Sequence, residues 1–178
     1  MAIRRKFITE IVEGILEENG VYRPPVPVEK IAKAHALKVQ KSEVSSSDIS
    51  GFLVRVKSKA VIGVNSSNAL VRQRFTIAHE LGHYLLHSQG AQDVHIDRHF
   101  EVRFRDEQSS RGTDADEQEA NFFAAELLMP RQFIKDDIEK VKQIDLEDGT
   151  ILTELSEKYE VSIQALSFRL SNLGYVRF

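Results

Sequence analysis

The segment of residues 75–87 reads FTIAHELGHYLLH and contains an H-E-x-x-H motif formed by His79, Glu80 and His83. In a helix, side chains four residues apart lie one turn apart on the same face, so both imidazoles can reach one metal ion. Glu80 lies roughly 100° further round the helix. There its carboxylate can hydrogen-bond a metal-bound water and does not bind the metal itself. The motif therefore requires a helix here, and it predicts a zinc site with two histidine ligands and a general base.

The residues around the motif favour that helix. Asn68 is a suitable N-terminal cap, and apolar residues recur at helical spacing at Leu70, Ile77, Leu81 and Leu85. An amphipathic helix with two solvated histidines is the alternative, but it leaves Gly82 unexplained, because glycine costs about 1 kcal/mol relative to alanine inside a helix. We therefore expect another element to approach the helix closely at Gly82.

A zinc hydrolase needs a third protein ligand, and several classes are excluded. The chain has no cysteine, and positions 86 and 89 lack the glycine and histidine of a metzincin. His87 lies two turns, or roughly 12 Å, from His79, so both cannot bind one ion, and we expect His87 to pack beside the site. His95 and His99 lie in a polar stretch, either at the surface or along a substrate cleft. His95 and His99 stay candidates for the third ligand, but a downstream acid is the better one.

The segment of residues 116–130, with the sequence DEQEANFFAAELLMP, predicts a second helix. Thr113 or Asp114 can cap its start, and it closes before Pro130. Its apolar face consists of Ala120, Phe123, Ala124, Leu127 and Leu128. This face is expected to be buried.

Glu117 falls on that apolar face, where an unpaired carboxylate would be costly and a zinc ion would be a suitable partner. Asn121, one turn later, could hydrogen-bond one of the metal-binding histidines. Two alternatives stay open. Glu119 could be the third ligand instead, or Glu117 could be an N-terminal acid that the helix dipole stabilises.

The two segments RFTIAHELGHYLLH and EQEANFFAAELLMP resemble the ImmA/IrrE family of zinc metallopeptidases, which occur in bacteria and their mobile elements. The family pattern is an H-E-x-x-H helix followed by E-x-x-A-N-x-F-A-x-x-L-L-x-P, and the likeness covers about residues 50–133. The resemblance implies that His79, His83 and Glu117 bind zinc and that Glu80 is the catalytic acid/base. It also implies a substrate class: helix-turn-helix repressors, cleaved in a stress or DNA-damage response.

Further elements predict the scaffold around these helices. We expect helices over about 3–19 and 27–35, then strands near 37–43, 51–56 and 60–64. The predicted fold is α+β: a mainly helical zincin-like metallopeptidase with a small twisted three-stranded sheet and a C-terminal helical pair. The strand at 51–56 is either an edge to which an extended substrate adds or an ordinary covered strand.

The C-terminal segment 151–174 predicts two helices separated by a turn at Glu160 and Val161, with Ser162 as a cap and Gly174 as the end. This is a helix-turn-helix pattern. Residues 151–178 nevertheless carry three acidic and three basic side chains, whereas a DNA reader needs a basic face. We expect a metallopeptidase domain over 1–147 and a helical pair over 148–178 that packs on it or docks a substrate. DNA binding is the less favoured alternative.

Composition bounds the remaining properties. The chain has 178 residues, a net charge of −3 and no cysteine, which fits a cytoplasmic protein without general attraction to nucleic acid. No apolar run is long enough for a signal peptide or membrane span, so no membrane partner is expected. The oligomeric state stays open.

Two functions follow from the sequence. The first is a zinc-dependent endopeptidase that hydrolyses a peptide bond in a regulatory protein, with Tyr84, His95 or His99 as candidate oxyanion donors. The second is a non-hydrolytic transcriptional regulator that keeps the zinc fold and binds DNA or a partner protein. The presence of Glu80 favours the first, since a pure binder needs no base there.

Overall fold

A computed structural model describes residues 2–44, 49–56, 59–87, 92–98, 113–140 and 149–176, with β4 and the first residues of α4 as backbone only. The elements in this part of the chain are α1 (Arg5–Glu18), α2 (Val28–Ala34), β1 (Leu37–Ser42), β2 (Ile49–Val56), β3 (Lys59–Asn65), α3 (Leu70–Leu86), β4 (Gln92–Arg98), α4 (Thr113–Leu128), α5 (Arg131–Lys140), α6 (Gly149–Tyr159) and α7 (Ile163–Asn172). The predicted α+β, mainly helical fold class is confirmed.

The sheet has the strand order β1-β3-β2-β4. β1 runs parallel to β3, and β2 runs antiparallel to both β3 and β4. The three predicted strands are present, and β4 is a fourth that the sequence did not predict. Because β2 lies between β3 and β4, residues 51–56 form a covered strand, and of the two alternatives the edge strand is wrong. The edges of the described sheet are β1 and β4.

Helix α3 packs across the sheet, and its start differs from the prediction. A Cβ on Gly51 of β2 would clash with the Thr76 side chain of α3, so this glycine lets the helix approach the strand. The residue before α3 is Ala69, and no side chain caps the helix. The prediction of Asn68 as the cap is therefore wrong; its carbonyl instead accepts a hydrogen bond of 2.8 Å from the Gln73 side chain.

Helix α4 carries the predicted apolar face into the core. Its five apolar residues are all buried: Ala120, Phe123, Ala124, Leu127 and Leu128. The same core contains the buried side chains of α1, namely Ile8, Val12, Ile15 and Leu16. Burying apolar surface stabilises a fold by about 25 cal/mol per Å². Packing in this shared core is therefore the main interaction that holds α1, α3 and α4 together. Helices α3 and α4 are thereby held side by side.

The C-terminal helical pair packs on the same core. Tyr159, Leu166 and Leu170 are fully buried in it. The predicted turn and cap are present: Glu160 has a φ of +52°, and the Ser162 hydroxyl accepts from Ala165 N at 3.1 Å. The buried side chains of the pair thus belong to the shared core, while the division into domains at residue 147 stays a prediction.

Arg169 is the only cation on α7, and it is buried. Its side chain is 3% exposed and pairs with Glu126 of α4 at 2.7 Å. Its Nε also donates to the Met129 carbonyl at 3.0 Å. Arg169 therefore faces the core, where it cannot contact a nucleic-acid phosphate. Among the helices described, none is both long and apolar enough to cross a membrane.

Candidate metal centre

Helices α3 and α4 lie in close contact at Gly82. A Cβ at this position would lie 3.0 Å from Cδ1 of Phe123, and 3.2 Å and 3.3 Å from the Cα and carbonyl oxygen of Ala120. Two of these three neighbours are backbone atoms, which cannot rotate away. The expectation that another element approaches the motif at Gly82 is confirmed, and that element is the helix that carries Glu117.

Three side chains from these helices meet in one cluster: His79, His83 and Glu117. The Nε2 atoms of the two histidines are 3.0 Å apart. The Glu117 oxygens lie 3.4 Å from Nε2 of His79 and 3.2 Å from Nε2 of His83. Both imidazoles are buried, whereas the Glu117 side chain is 29% exposed. The cluster therefore reaches the protein surface at its carboxylate.

The donor set fits zinc. Two imidazole nitrogens and one carboxylate are the ligands of many catalytic zinc sites, which keep a fourth position open. Bonds of 2.0–2.1 Å in a tetrahedral site place ligand atoms about 3.3 Å from one another. The observed separations of 3.0–3.4 Å match that spacing. The three residues could hold such an ion with little rearrangement.

Asn121 orients the first of the two histidines. Its Oδ1 lies 3.1 Å from Nδ1 of His79, as the sequence predicted. Because a carboxamide oxygen only accepts, Nδ1 of His79 carries the proton and Nε2 keeps its lone pair. This is the tautomer that a metal ligand requires, since Nε2 is the atom that faces His83 and Glu117.

Glu80 lies next to His79 on α3 and is fully buried. It follows a cluster residue directly and belongs to the part of α3 that packs inward. Its role as the catalytic acid/base stays a prediction at this point.

Glu119, the rival third ligand, binds Arg4 instead of joining the cluster. Arg4 donates from its backbone N at 2.9 Å and from Nε at 3.0 Å to Oε1 of Glu119. The hydrogen bond from the Arg4 side chain holds the pKa of Glu119 below its ordinary value, although burial acts in the opposite direction. The charge of this buried carboxylate is therefore balanced by an arginine, and Glu119 serves to fix the N-terminal segment to α4.

The other predicted site residues fall beside the cluster or outside the description. As expected, His87 packs next to the site: its ring is 5.4 Å from that of His83, and its Nδ1 is 3.3 Å from Oδ1 of Asp116. His95 lies on β4, but its side chain is outside the described part of the structure, as is all of His99. Their suggested role as oxyanion donors stays a prediction.

Arg55 is a contact of the site that the sequence did not indicate. From β2 its Nη2 donates to the His83 carbonyl at 2.7 Å, and its Nη1 donates to the His87 carbonyl at 3.2 Å. The guanidinium also lies 4.9 Å from the ring centre of Tyr84, a cation–π contact. No pattern links an arginine 28 residues upstream to the motif, so only the folded chain reveals it.

Comparisons with known proteins agree with this picture. A protein-family model described as Peptidase_M78, IrrE N-terminal-like domain, matches residues 32–171. Among solved structures, a Mycobacterium tuberculosis transcriptional regulator superposes with a TM-score of 0.61 at 18% sequence identity, over 92% of this chain and 46% of that one. The chain thus spans less than half the length of that regulator, and at this identity the likeness concerns the fold alone. No curated protein gives a significant match.

Proposed function

The chain belongs to the ImmA/IrrE family of zinc metallopeptidases, and from this premise we propose that it is a zinc-dependent endopeptidase acting on a regulatory protein. The observation that carries the proposal is the convergence of His79, His83 and Glu117, whose ligand atoms lie within 4.8 Å of one another. These three residues would hold the ion. When bound, zinc supplies a Lewis acid that polarises the scissile carbonyl and brings the pKa of water near 7.

Glu80 is the proposed general base and acid. Its carboxylate takes a proton from the attacking water as the water oxygen bonds to the carbonyl carbon. It then gives that proton to the amine as the carbon–nitrogen bond breaks, so the products are a carboxylic acid and a free amine. General acid–base catalysis of this kind contributes on the order of 10²–10⁴ in rate. The position of Glu80 on the motif helix, directly after His79, supports the assignment.

An extended segment of a protein is the proposed substrate. β4 is an edge of the described sheet, and it pairs with β2, whose Gly51 packs against the motif helix. A substrate strand added to this edge would run alongside the helix that carries the cluster, held by main-chain hydrogen bonds. The family resemblance points to a helix-turn-helix repressor, cleaved in a stress or mobile-element response in the cytoplasm, and the cysteine-free composition fits that compartment.

The second candidate function is a transcriptional regulator that binds DNA or a partner without hydrolysis. One observation favours it: the M. tuberculosis structure of similar fold is titled a transcriptional regulator. The burial of Arg169 argues against DNA reading through α7, because that helix has no other lysine or arginine to neutralise phosphates. We therefore favour the peptidase function over the non-hydrolytic regulator.

The experiment that tests the proposal compares wild type with Glu80→Gln in cells. Protein N-termini are catalogued after expression of each variant, and zinc content is measured on the purified proteins. We expect new N-termini in a regulatory protein only with wild type, while both variants carry zinc. Identical sets of N-termini would contradict hydrolysis and favour the regulator.

A further inference from the structure

Arg55 joins the sheet to the C-terminal end of the motif helix. It donates one hydrogen bond to the His83 carbonyl at 2.7 Å and one to the His87 carbonyl at 3.2 Å. The His83 carbonyl also accepts the His87 backbone N–H at 3.1 Å, so Arg55 adds a second donor at the C-terminal end of α3, where the helix dipole is negative. A guanidinium is suited to it, because its fork offers two parallel donors and a permanent positive charge.

The position of this contact matters because His83 lies in the last turn of α3. Helix ends fray more readily than helix centres, and fraying here would move the His83 imidazole relative to that of His79. The Arg55 hydrogen bond fixes the backbone of the very residue whose ring joins the cluster. The Tyr84 ring, 4.9 Å from the guanidinium, makes a cation–π contact with the same side chain.

The second hydrogen bond extends the effect to the other helix. Arg55 holds the His87 carbonyl, and the His87 ring contacts the carboxylate of Asp116 at 3.3 Å. Asp116 precedes Glu117, so this contact fixes the first turn of α4 against the last turn of α3. The chain of contacts thus runs from β2 to both helices that supply the cluster.

We propose that Arg55 is a positioning residue, which holds His83 directly and Glu117 through His87 and Asp116 in the arrangement that binds zinc. The inference rests on the proposed zinc site but is separate from hydrolysis. Groups that orient metal ligands from outside the ligand set typically change metal affinity 10–100-fold when they are removed. We expect a loss of that order for Arg55→Met, which keeps the length of the side chain and removes both donors.

The experiment measures zinc affinity by competition with a chromophoric chelator. Arg55→Lys is the conservative variant: it keeps the charge but offers a single flexible ammonium, so its affinity should lie between those of wild type and Arg55→Met. Arg74→Met is the matched control. Arg74 also anchors α3, through the Val26 carbonyl at 2.9 Å and Glu160 at 3.0 Å, but it touches no carbonyl of the motif.

Wild type and Arg74→Met should bind zinc with the same affinity, within twofold. Arg55→Lys should bind zinc more weakly than these two, and Arg55→Met should bind it most weakly. Equal affinity of wild type and both Arg55 variants would overturn this inference and leave the zinc site intact. An equal loss in Arg74→Met would also overturn it, since the effect would then reflect general loosening of α3. A wild-type protein that binds no zinc would contradict the proposed function itself. If Arg55→Met does not fold, the test is the zinc affinity of Arg55→Lys relative to wild type. A lower affinity supports the inference, and an equal affinity overturns it.

Discussion

Replacing Gly82 by alanine would place a methyl group between α3 and α4. The new Cβ would lie 3.0 Å from the Phe123 ring and 3.2–3.3 Å from backbone atoms of Ala120, against the usual van der Waals contact of about 3.5–4.0 Å. The ring can shift, but the backbone of Ala120 moves only with the whole of α4. The helices must therefore separate by a few tenths of an ångström.

Two effects of opposite sign decide the result for Gly82→Ala. Alanine in place of glycine inside a helix stabilises it by about 1 kcal/mol. Overpacking a tight interface costs about 1–3 kcal/mol. We therefore expect the free energy of unfolding to fall by about 0–2 kcal/mol, together with weaker zinc binding, because Glu117 on α4 moves away from His79 and His83.

Gly14→Ala is the matched control for this substitution. Gly14 lies within α1, and a Cβ there would meet nothing within 4 Å. The same change should therefore raise the free energy of unfolding by about 0.5–1 kcal/mol. Urea denaturation of both variants, with chelator present, measures the difference. If Gly82→Ala stabilises the protein as much as Gly14→Ala does, the argument from close helix approach is refuted.

Three further predictions concern other contacts. Asn121→Ala should weaken zinc binding about 10–100-fold, because His79 loses the partner that fixes its tautomer; unchanged affinity in a chelator competition would contradict this. Arg169→Ala should lower the free energy of unfolding by about 3–5 kcal/mol, because it leaves a carboxylate buried without its partner; a loss below about 1 kcal/mol would contradict it. Burial raises the pKa of Asp137, but hydrogen bonds from Lys158 and a tyrosine outweigh burial and lower it. The stabilisation it gives is thus present above its unfolded pKa of about 3.9 and lost as pH falls through the lowered folded pKa. Melting temperatures of wild type and Asp137→Asn should therefore differ near neutrality and converge as the pH falls below about 3.9.

The parts of the site that could be predicted are those encoded by local spacing. The motif helix, the apolar face of α4, the role of Gly82 and the contact between Asn121 and His79 follow from helical periodicity and from the cost of burying unpartnered groups. The helix and the apolar face depend on residues one or two turns apart on one helix, whereas the contact between Asn121 and His79 joins α4 to α3. The glycine predicted a close approach of another element, but only the fold shows that this element is α4.

The features that the sequence did not reveal are those that depend on distant pairing. β4 is mostly polar, and the alternation of Val94 and Ile96 with polar residues is too short to distinguish a strand from a loop. Its pairing with β2, which only the fold shows, makes β4 the sheet edge in place of residues 51–56. Arg55 reaches the motif helix across 28 residues, and Arg4 reaches Glu119 across 115. From the sequence alone, an arginine on a strand or in an N-terminal segment is expected at the surface. Its carbonyl or carboxylate partner becomes its neighbour only in the folded chain.

The metal content of three purified proteins tests the central claim most directly. Glu117→Gln and Glu119→Gln are matched, since each removes one negative charge from the same helix without changing the side chain's shape. Elemental analysis should find one zinc ion per chain in wild type and in Glu119→Gln, and a large loss of zinc in Glu117→Gln. Zinc retained in Glu117→Gln and lost in Glu119→Gln would contradict the assignment of His79, His83 and Glu117 as the metal centre.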